Sequence, residues 1–446
     1  MLFLFLKYVN PVWYYNLPSR HNALYFCDKD KVPTDELDSI DLDEGYENLS
    51  STNLDAAYQM WHKGFIKNAE CALDAIVSPI SSVTDNYRFV RRHFHPIWSW
   101  YILSLRILTL HNPFRETRAF FSQRNTKRLD HYSEVFPHDQ AYNNFNSSLL
   151  NSGPMVSVII PTLNRYPHLT NALEDLEKQD YPNFEVIVID QSTPFEADFY
   201  ESFQLKLTVL QQPEKALWQA RNTAIKLSKA NLILLFDDDS RVEPDWISEH
   251  VKCLDYFQAD ISAGVSFSRT GDRIPENYRF FRWADKLDTG NVMIHRKVFE
   301  VTGLFDRQFE GQRMGDGEFG LRAYLAGFKS ISNCRAKRLH LKVGKGGLRE
   351  MGSWDAYRPK SFWAPRPIPS VLYFFRKYFP SANVWHAVII GILPSLIPYR
   401  YKANRALLFL GSILTIILLP KIGVQVWRSW RASSRMLQEG AKIDTL

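Results

Sequence analysis

The chain has 446 residues, enough for one large domain with extensions or for two or three domains. Apolar residues make up 45% of it, which excludes a disordered chain, and its net charge of +6 comes without the dense Lys/Arg clusters of a nucleic-acid binder. A modest basic balance of this kind fits anionic lipid or phosphate-bearing ligands.

The apolar start Met1–Leu6 is short, is followed at once by Lys7, and lacks a basic leader and a small-residue cleavage site, so no export signal is expected. Cys27, Cys71, Cys253 and Cys334 are scattered, with no CxxC pair and no histidine at zinc spacing, and read as reduced cytosolic thiols. Residues 1–60 show weak periodicity, and the acidic run Asp35–Glu47 reads as a solvated segment or linker. From Trp61 to Ser122 the pattern is helical, with Phe65, Ala69, Ala72, Leu73 and Ile76 at helix-face spacings. His95–Leu108 is apolar nearly all round, as a core helix or a membrane-surface helix would be. A polar stretch then leads to a domain boundary near Gly153-Pro154, making 1–153 a largely helical N-terminal extension.

A clearer rhythm follows. Val156–Ile160 reads as a strand, Pro167–Gln179 as a helix, Phe184–Ile189 and Leu205–Leu210 as strands, Glu214–Ala230 as a helix, and Leu232–Phe236 as a central buried strand. Strands alternating with helices imply βαβ units with right-handed crossovers, hence a mostly parallel α/β sheet flanked by helices. Pro161-Thr-Leu-Asn-Arg165, Asp190 and Asp237-Asp-Asp239 follow three of these strands. Polar clusters at successive carboxyl ends converge on the crevice where such sheets bind ligands. Three adjacent carboxylates suit a hard divalent cation, Mg²⁺ or Mn²⁺, although an isolated triplet is also a common solvated turn.

The motifs VSVIIPTLNR, EVIVIDQS, ARN (Ala220–Asn222), FDDDS, TGNVMIHR (Thr289–Arg296) and MGDGEFGLRAYLAGFK (Met314–Lys329) occur in this order. Together they make Val156 to about His340 resemble the catalytic domain of a bacterial-type family 2 glycosyltransferase of the GT-A fold, an inverting group that uses nucleotide-sugar donors. The resemblance implies that Pro161, Thr162, Asn164 and Arg165 border the nucleotide, that Asp190 accepts from a uracil imide, and that Asp237, Asp238 and Asp239 are the DxD motif. On that reading Asp239 coordinates the metal, Asp237 contacts the ribose or a metal-bound water or joins the metal shell, and Asp238 belongs to the donor side. Arg221 is expected to pair with a phosphate or an aspartate of the triplet. Asp316 stands where the family's catalytic base stands and is preferred to Glu318, although Gly315 occupies a position more often held by glutamate.

His340 is either a further metal ligand or a structural histidine. Lys342, Lys345 and Arg349, in a glycine-rich stretch, are expected to form a lid over the diphosphate. Asn277–Ala284, with Trp283, is either an acceptor surface or a packed sheet edge, and Asn291 in TGNVMIHR is a further candidate.

Residues 351–446 change character. Val384–Pro398 and Ala406–Pro420 are apolar runs separated by the basic Tyr399–Arg405. As helices each spans roughly 22 Å, short of the ~30 Å hydrocarbon core. The expectation is two helices lying in or dipping into the inner leaflet, with a transmembrane hairpin or a packed soluble hairpin as alternatives. Arg428, Arg431 and Arg435 would then face anionic headgroups. The function expected is metal-dependent transfer from a nucleotide-sugar, a UDP-sugar first, to a glycan or lipid-linked acceptor in surface polysaccharide synthesis at the cytoplasmic face of the membrane. A silent GT-A scaffold and a sugar-nucleotide nucleotidylyltransferase are the competing readings; the latter needs a Gly-rich basic loop after the first strand, and PTLNR is not one.

Overall fold

The computed structural model describes residues 3–17, 25–66, 70–72, 81–268, 274–284, 287–343, 348, 356–357, 361, 363–397, 401 and 404–446. These form two compact units. The first joins the N-terminal residues as far as Phe136 to Trp354–Gln438, and the second comprises Pro137–Ser353 with Glu439–Leu446. Most of the N- and C-terminal extensions, expected as the separate segments 1–153 and 351–446, thus falls in one unit, while residues 137–153 and 439–446 go with the sheet.

The second unit is built on a nine-stranded sheet. Its elements are β1 (Val156–Thr162), α1 (Tyr166–Leu176), β2 (Phe184–Asp190), β3 (Leu207–Gln211), α2 (Leu217–Leu227), β4 (Leu232–Phe236), β5 (Ser240–Val242), α3 (Trp246–Phe257), β6 (Ile261–Phe267), β7 (Arg282–Trp283), β8 (Asn291–His295), α4 (Arg296–Thr302), α5 (Gly315–Leu325) and β9 (Ser330–His340). The strand order is β3-β2-β1-β4-β8-β6-β9-β5, with β7 on the side of β9. The half built from β3, β2, β1 and β4 is parallel, as the βαβ rhythm requires. The other half is mixed: β8 runs antiparallel to both β4 and β6, while β6 and β9 pair in parallel. The sequence reads as more uniformly parallel because β8 follows β7 without a helical crossover, and only long-range pairing shows its direction. Every residue of β1 and β4 is buried, the signature of a sheet covered on both faces.

In the first unit the helical reading of 61–122 resolves into helices Leu49–Lys63, Val83–His93, Ile97–Leu108 and Pro113–Ser122. The expected helix face breaks early: Gly64 caps the first helix in the left-handed region, leaving Phe65 beyond it, and Ala72 lies in a short strand. Ala69, Leu73 and Ile76 lie outside the described residues. The acidic run is not a solvated linker at Asp43, which is buried and accepts from Arg88 Nε at 2.7 Å while Arg92 stands 3.0 Å away. Ile97–Leu108 packs as a core helix through Ile102 and Leu103, against Phe5, Tyr87 and Phe120.

At the other end of this unit, the first apolar run is helix Ser381–Ile392 with a tighter turn Leu393–Leu396, and the second begins as helix Arg405–Ile417. Among the described residues no single helix is long and apolar enough to cross a membrane, but Arg405–Ile417 and Leu419–Glu439 form an apolar pair bent by 81°. Most of the basic connector lies outside the described residues.

Candidate active site

The site begins where β4 ends. Asp237 is held from two sides by buried arginines: Arg221 Nη2, on α2, donates to Oδ1 at 2.8 Å, and Arg338 Nη1, on β9, donates to Oδ2 at 3.0 Å. Arg338 Nη2 also reaches Asp288 Oδ2 at 3.1 Å. Such pairs fix geometry, because removing one member leaves a buried charge uncompensated. Gly290 makes room for this arrangement, since a Cβ there would stand 1.7 Å from Arg338 Nη1 and 2.3 Å from Asp237 Oδ2.

Asp238 turns the other way. It accepts from Thr162 Oγ1 at 2.8 Å and from Arg165 Nη1 at 3.1 Å. Burial pushes its carboxyl up to about 6, against the pull of Arg165 and with the help of the Asp239 charge. Asp239 lies 3.2 Å from Arg165 Nη1 and 3.3 Å from His340 Nε2, and accepts from the Val343 amide. Burial raises it too, but the His340 hydrogen bond and Arg165 outweigh burial and the Asp237 charge, so it is lowered. Backbone pairing brings His340 here: β9 and β5 run antiparallel with His340 opposite Ser240, and the Leu341 amide donates to the Asp239 carbonyl at 2.9 Å.

Asp237, Asp239 and His340 each offer one ligand atom, all within 4.8 Å of one another. Two carboxylate oxygens and one imidazole nitrogen fit a divalent cation, and the nitrogen suits Mn²⁺.

The nucleotide-side candidates gather at the ends of β1 and β2. Pro161 and Thr162 pair with Ile189 and Asp190. Asn164 stands at φ 52°, its amide donating to Ser192 Oγ and its Oδ1 accepting from the Thr193 amide. Asp190 is fully buried and accepts from Tyr166 Oη at 2.7 Å, Tyr200 Oη at 2.8 Å and the Ser192 amide at 2.8 Å.

Asp316 lies in the first turn of α5, after Met314 in the left-handed region, and accepts from the Gly317 amide at 2.8 Å. Gly315 is explained by Trp218: a Cβ at Gly315 would stand 2.4 Å from the indole Cζ2. The indole Nε1 donates to the Phe309 carbonyl at 3.0 Å, and the Arg221 guanidinium lies 5.2 Å from the ring centre. One tryptophan therefore touches the helix bearing Asp316 and the arginine holding Asp237.

Three candidates fall away from this cluster. Glu318 is fully buried and paired with Arg322 at 2.9 Å, whose guanidinium also binds the carbonyls of Thr302, Gly303 and Leu304, so it fastens α5 to the preceding loop. Asn291 is a core residue accepting from Trp246 Nε1 and donating to the Val265 and Ala336 carbonyls. Trp283 pairs with Ile331, at the opposite end of β9 from His340, so the sheet-edge reading describes it. Lys345 and Arg349 lie outside the described residues; Lys342 is described, at φ 52°.

Sequence reasoning missed Arg338, Tyr166, Tyr200, Asp288 and Trp218. Arg338 was findable, since two residues before His340 on a strand puts it on the same face. Tyr166 directly follows TLNR, whereas Tyr200, Asp288 and Trp218 carry no local signal.

Residues 157–306 match the family described as Glycosyl transferase family 2. This stretch is a glycosyl transferase family 2 domain, and it contains the β1–α1–β2 region, the aspartate triplet and Arg221. Among curated proteins, glycosyltransferase GlyA of Streptococcus pneumoniae is 25% identical over 166 residues, 36% of this chain and 22% of its own length. Poly(ribitol-phosphate) beta-N-acetylglucosaminyltransferase TarS of Staphylococcus aureus is 28% identical over 185 residues, 38% of this chain and 32% of its own length. The match thus spans under a third of either relative. A solved mannosyltransferase from Pyrobaculum calidifontis, in complex with GDP-Man and Mn²⁺, aligns with 66% of this chain and 91% of its own, at 16% identity and a TM-score of 0.43.

Proposed function

We propose that the protein is a metal-dependent inverting glycosyltransferase that moves a sugar from a nucleotide-sugar, with a UDP-sugar as the first candidate, to a glycan or lipid-linked acceptor. The observation that carries this reading is the convergence of Asp237, Asp239 and His340 at the carboxyl end of the parallel strands, in a chain with a family 2 domain. A divalent cation held there supplies charge neutralisation for the leaving diphosphate. Arg221 and Arg338 fix Asp237, while Thr162 and Arg165 fix Asp238 and its neighbour. Asp190 and the Asn164 turn border the nucleoside. Asp316 takes the proton of the acceptor hydroxyl as that oxygen attacks the anomeric carbon from the side opposite the nucleotide, so the configuration inverts. TarS, named for beta-N-acetylglucosaminyl transfer to poly(ribitol phosphate), supports a polymer-type acceptor.

The deciding experiment is calorimetric titration with UDP and with GDP, each with Mn²⁺ and with EDTA, on the wild type and Asp239→Ala. Metal-dependent binding of UDP that disappears in Asp239→Ala is expected; no nucleotide binding under any condition moves the silent scaffold to the front.

The same reading places the enzyme at the cytoplasmic face of a membrane. Its support is the helix Arg405–Ile417, which exposes Phe409, Leu410, Ile413, Leu414, Ile416 and Ile417, with Arg428, Arg431 and Arg435 on the following helix. An exposed apolar helix followed along the chain by exposed cations matches the chemistry of an anionic lipid surface. Co-sedimentation with phosphatidylglycerol vesicles that is lost in Ile416→Asp/Ile417→Asp is expected; equal recovery of both proteins would remove the membrane from the reading.

A further inference from the structure

Residues 440–444 lie along the loop that leads to Asp316. After Gly440 turns the chain at φ 79°, its carbonyl accepts from Gln308 Nε2 at 2.8 Å. The Lys442 amide donates to Asp306 Oδ1 at 2.9 Å, and its carbonyl accepts from the Arg307 amide at 3.0 Å. The Leu304 amide donates to the Asp444 carbonyl at 2.8 Å, and the Asp444 carboxylate meets Lys226 Nζ at 2.7 Å. Ile443 fits because residue 303 is glycine: a Cβ there would stand 2.5 Å from Ile443 Cγ2, and Gly303 holds φ 77°.

The same loop is gripped from its other edge. Asn222, on α2, donates to the Phe305 carbonyl and accepts from the Phe305 amide, each at 2.9 Å. Trp218 then takes the Phe309 carbonyl. Two left-handed positions, Gly311 and Met314, turn the chain into α5 and Asp316. Backbone groups in an irregular loop need partners, and here residues 440–444 supply those of the Leu304 and Arg307 amides while Asn222 and Trp218 of α2 supply those of Phe305 and Phe309.

We propose that residues 440–444 are a positioning strap for the transfer reaction, holding loop 304–309 in register so that Asp316 meets the acceptor hydroxyl. This rests on the assignment of Asp316 as the base. Displacement of a reacting group by about 1 Å costs on the order of 10²-fold in rate, so a strap that removes such play acts on turnover and leaves donor affinity alone.

The test compares the full chain with a variant lacking residues 440–446 and with Lys442→Pro, which removes the amide donated to Asp306. UDP binding in Mn²⁺ and release of UDP from UDP-N-acetylglucosamine and UDP-glucose are measured for all three. Expected is unchanged UDP affinity and donor KM, with kcat lowered at least tenfold and restored to the truncated chain by a synthetic peptide of residues 439–446. Unchanged kcat, or a loss of UDP affinity in step with kcat, overturns the strap. Hydrogen exchange supplies a readout that needs no turnover: truncation is expected to speed exchange at Leu304 and Arg307 and onward through Met314–Asp316. Faster exchange confined to 304–308, or none, overturns it as well. If the full chain binds no nucleotide, the transferase reading fails, while the exchange result still decides whether the strap holds the loop.

Discussion

The indole of Trp218 lies on the Cα of Gly315, so closely that any side chain at 315 would overlap the ring. The two residues are far apart in sequence, and each makes sense only beside the other. Gly315→Ala is therefore expected to destabilise the protein by about 1–3 kcal/mol, the usual range for overpacking. Trp218→Ala in the same chain should relieve much of that cost, a coupling that thermal unfolding of both single variants and the double variant will measure.

The cation site invites a comparison of metals. His340→Ala leaves Asp237 and Asp239 in place but removes the nitrogen donor. Mn²⁺-supported UDP binding should weaken by about 10-fold or more, at least what an outer-shell partner contributes, while Mg²⁺-supported binding should change less. Equal losses with both metals would return His340 to a structural role.

Asp316 and Glu318 are two residues apart and should behave oppositely. Asp316→Asn is expected to lower kcat by roughly 10²–10⁴-fold with UDP affinity unchanged. Glu318→Gln breaks the buried pair with Arg322, so its main effect should be a loss of about 3–5 kcal/mol of stability, read as a lowered thermal midpoint.

Acid should loosen the first unit. Burial, reinforced by the His93 charge, holds His131 down to about 3 from its ordinary 6.5. Asp55, fully buried and bonded to His93, Tyr46, Gln59 and Arg92, is lowered to about 2 from 3.8, its partners outweighing burial. Both shifts are downward, so the unfolded chain binds more protons, and stability is lost as pH falls: from about 6.5 through His131, then from about 4 through Asp55. Thermal midpoints measured from pH 7 to pH 4 should decline, and His131→Gln should flatten that slope.

How much of this was legible in the sequence depends on range. The parallel half of the sheet was readable because each strand is a short apolar run followed by its helix, a local signal. The antiparallel course of β8 and the pairing of β7 with β9 were not, since two or five residues of strand carry no direction. At the site, Asp237, Asp239 and His340 were legible as chemistry, and the structure brings their ligand atoms together. Glu318 and Asn291 looked equally polar in sequence, and only burial against Arg322 and beside Trp246 separates them from Asp316. The helical character of 61–122 was legible, as Val83–His93, Ile97–Leu108 and Pro113–Ser122 bear out, but the helix face read onward from Phe65 breaks at Gly64, whose left-handed turn ends the first helix.

The antiparallel ladder between β5 and β9 has a kinetic consequence. Asp239 and His340 become neighbours through the pairing of Ser240 with His340, which closes a loop of about a hundred residues. Closing so long a loop is slow relative to local helix formation. A folding chain is therefore expected to have the two aspartates in place before the imidazole. A cation held by all three groups would therefore be captured only after this ladder has closed, and would not be what nucleates the sheet.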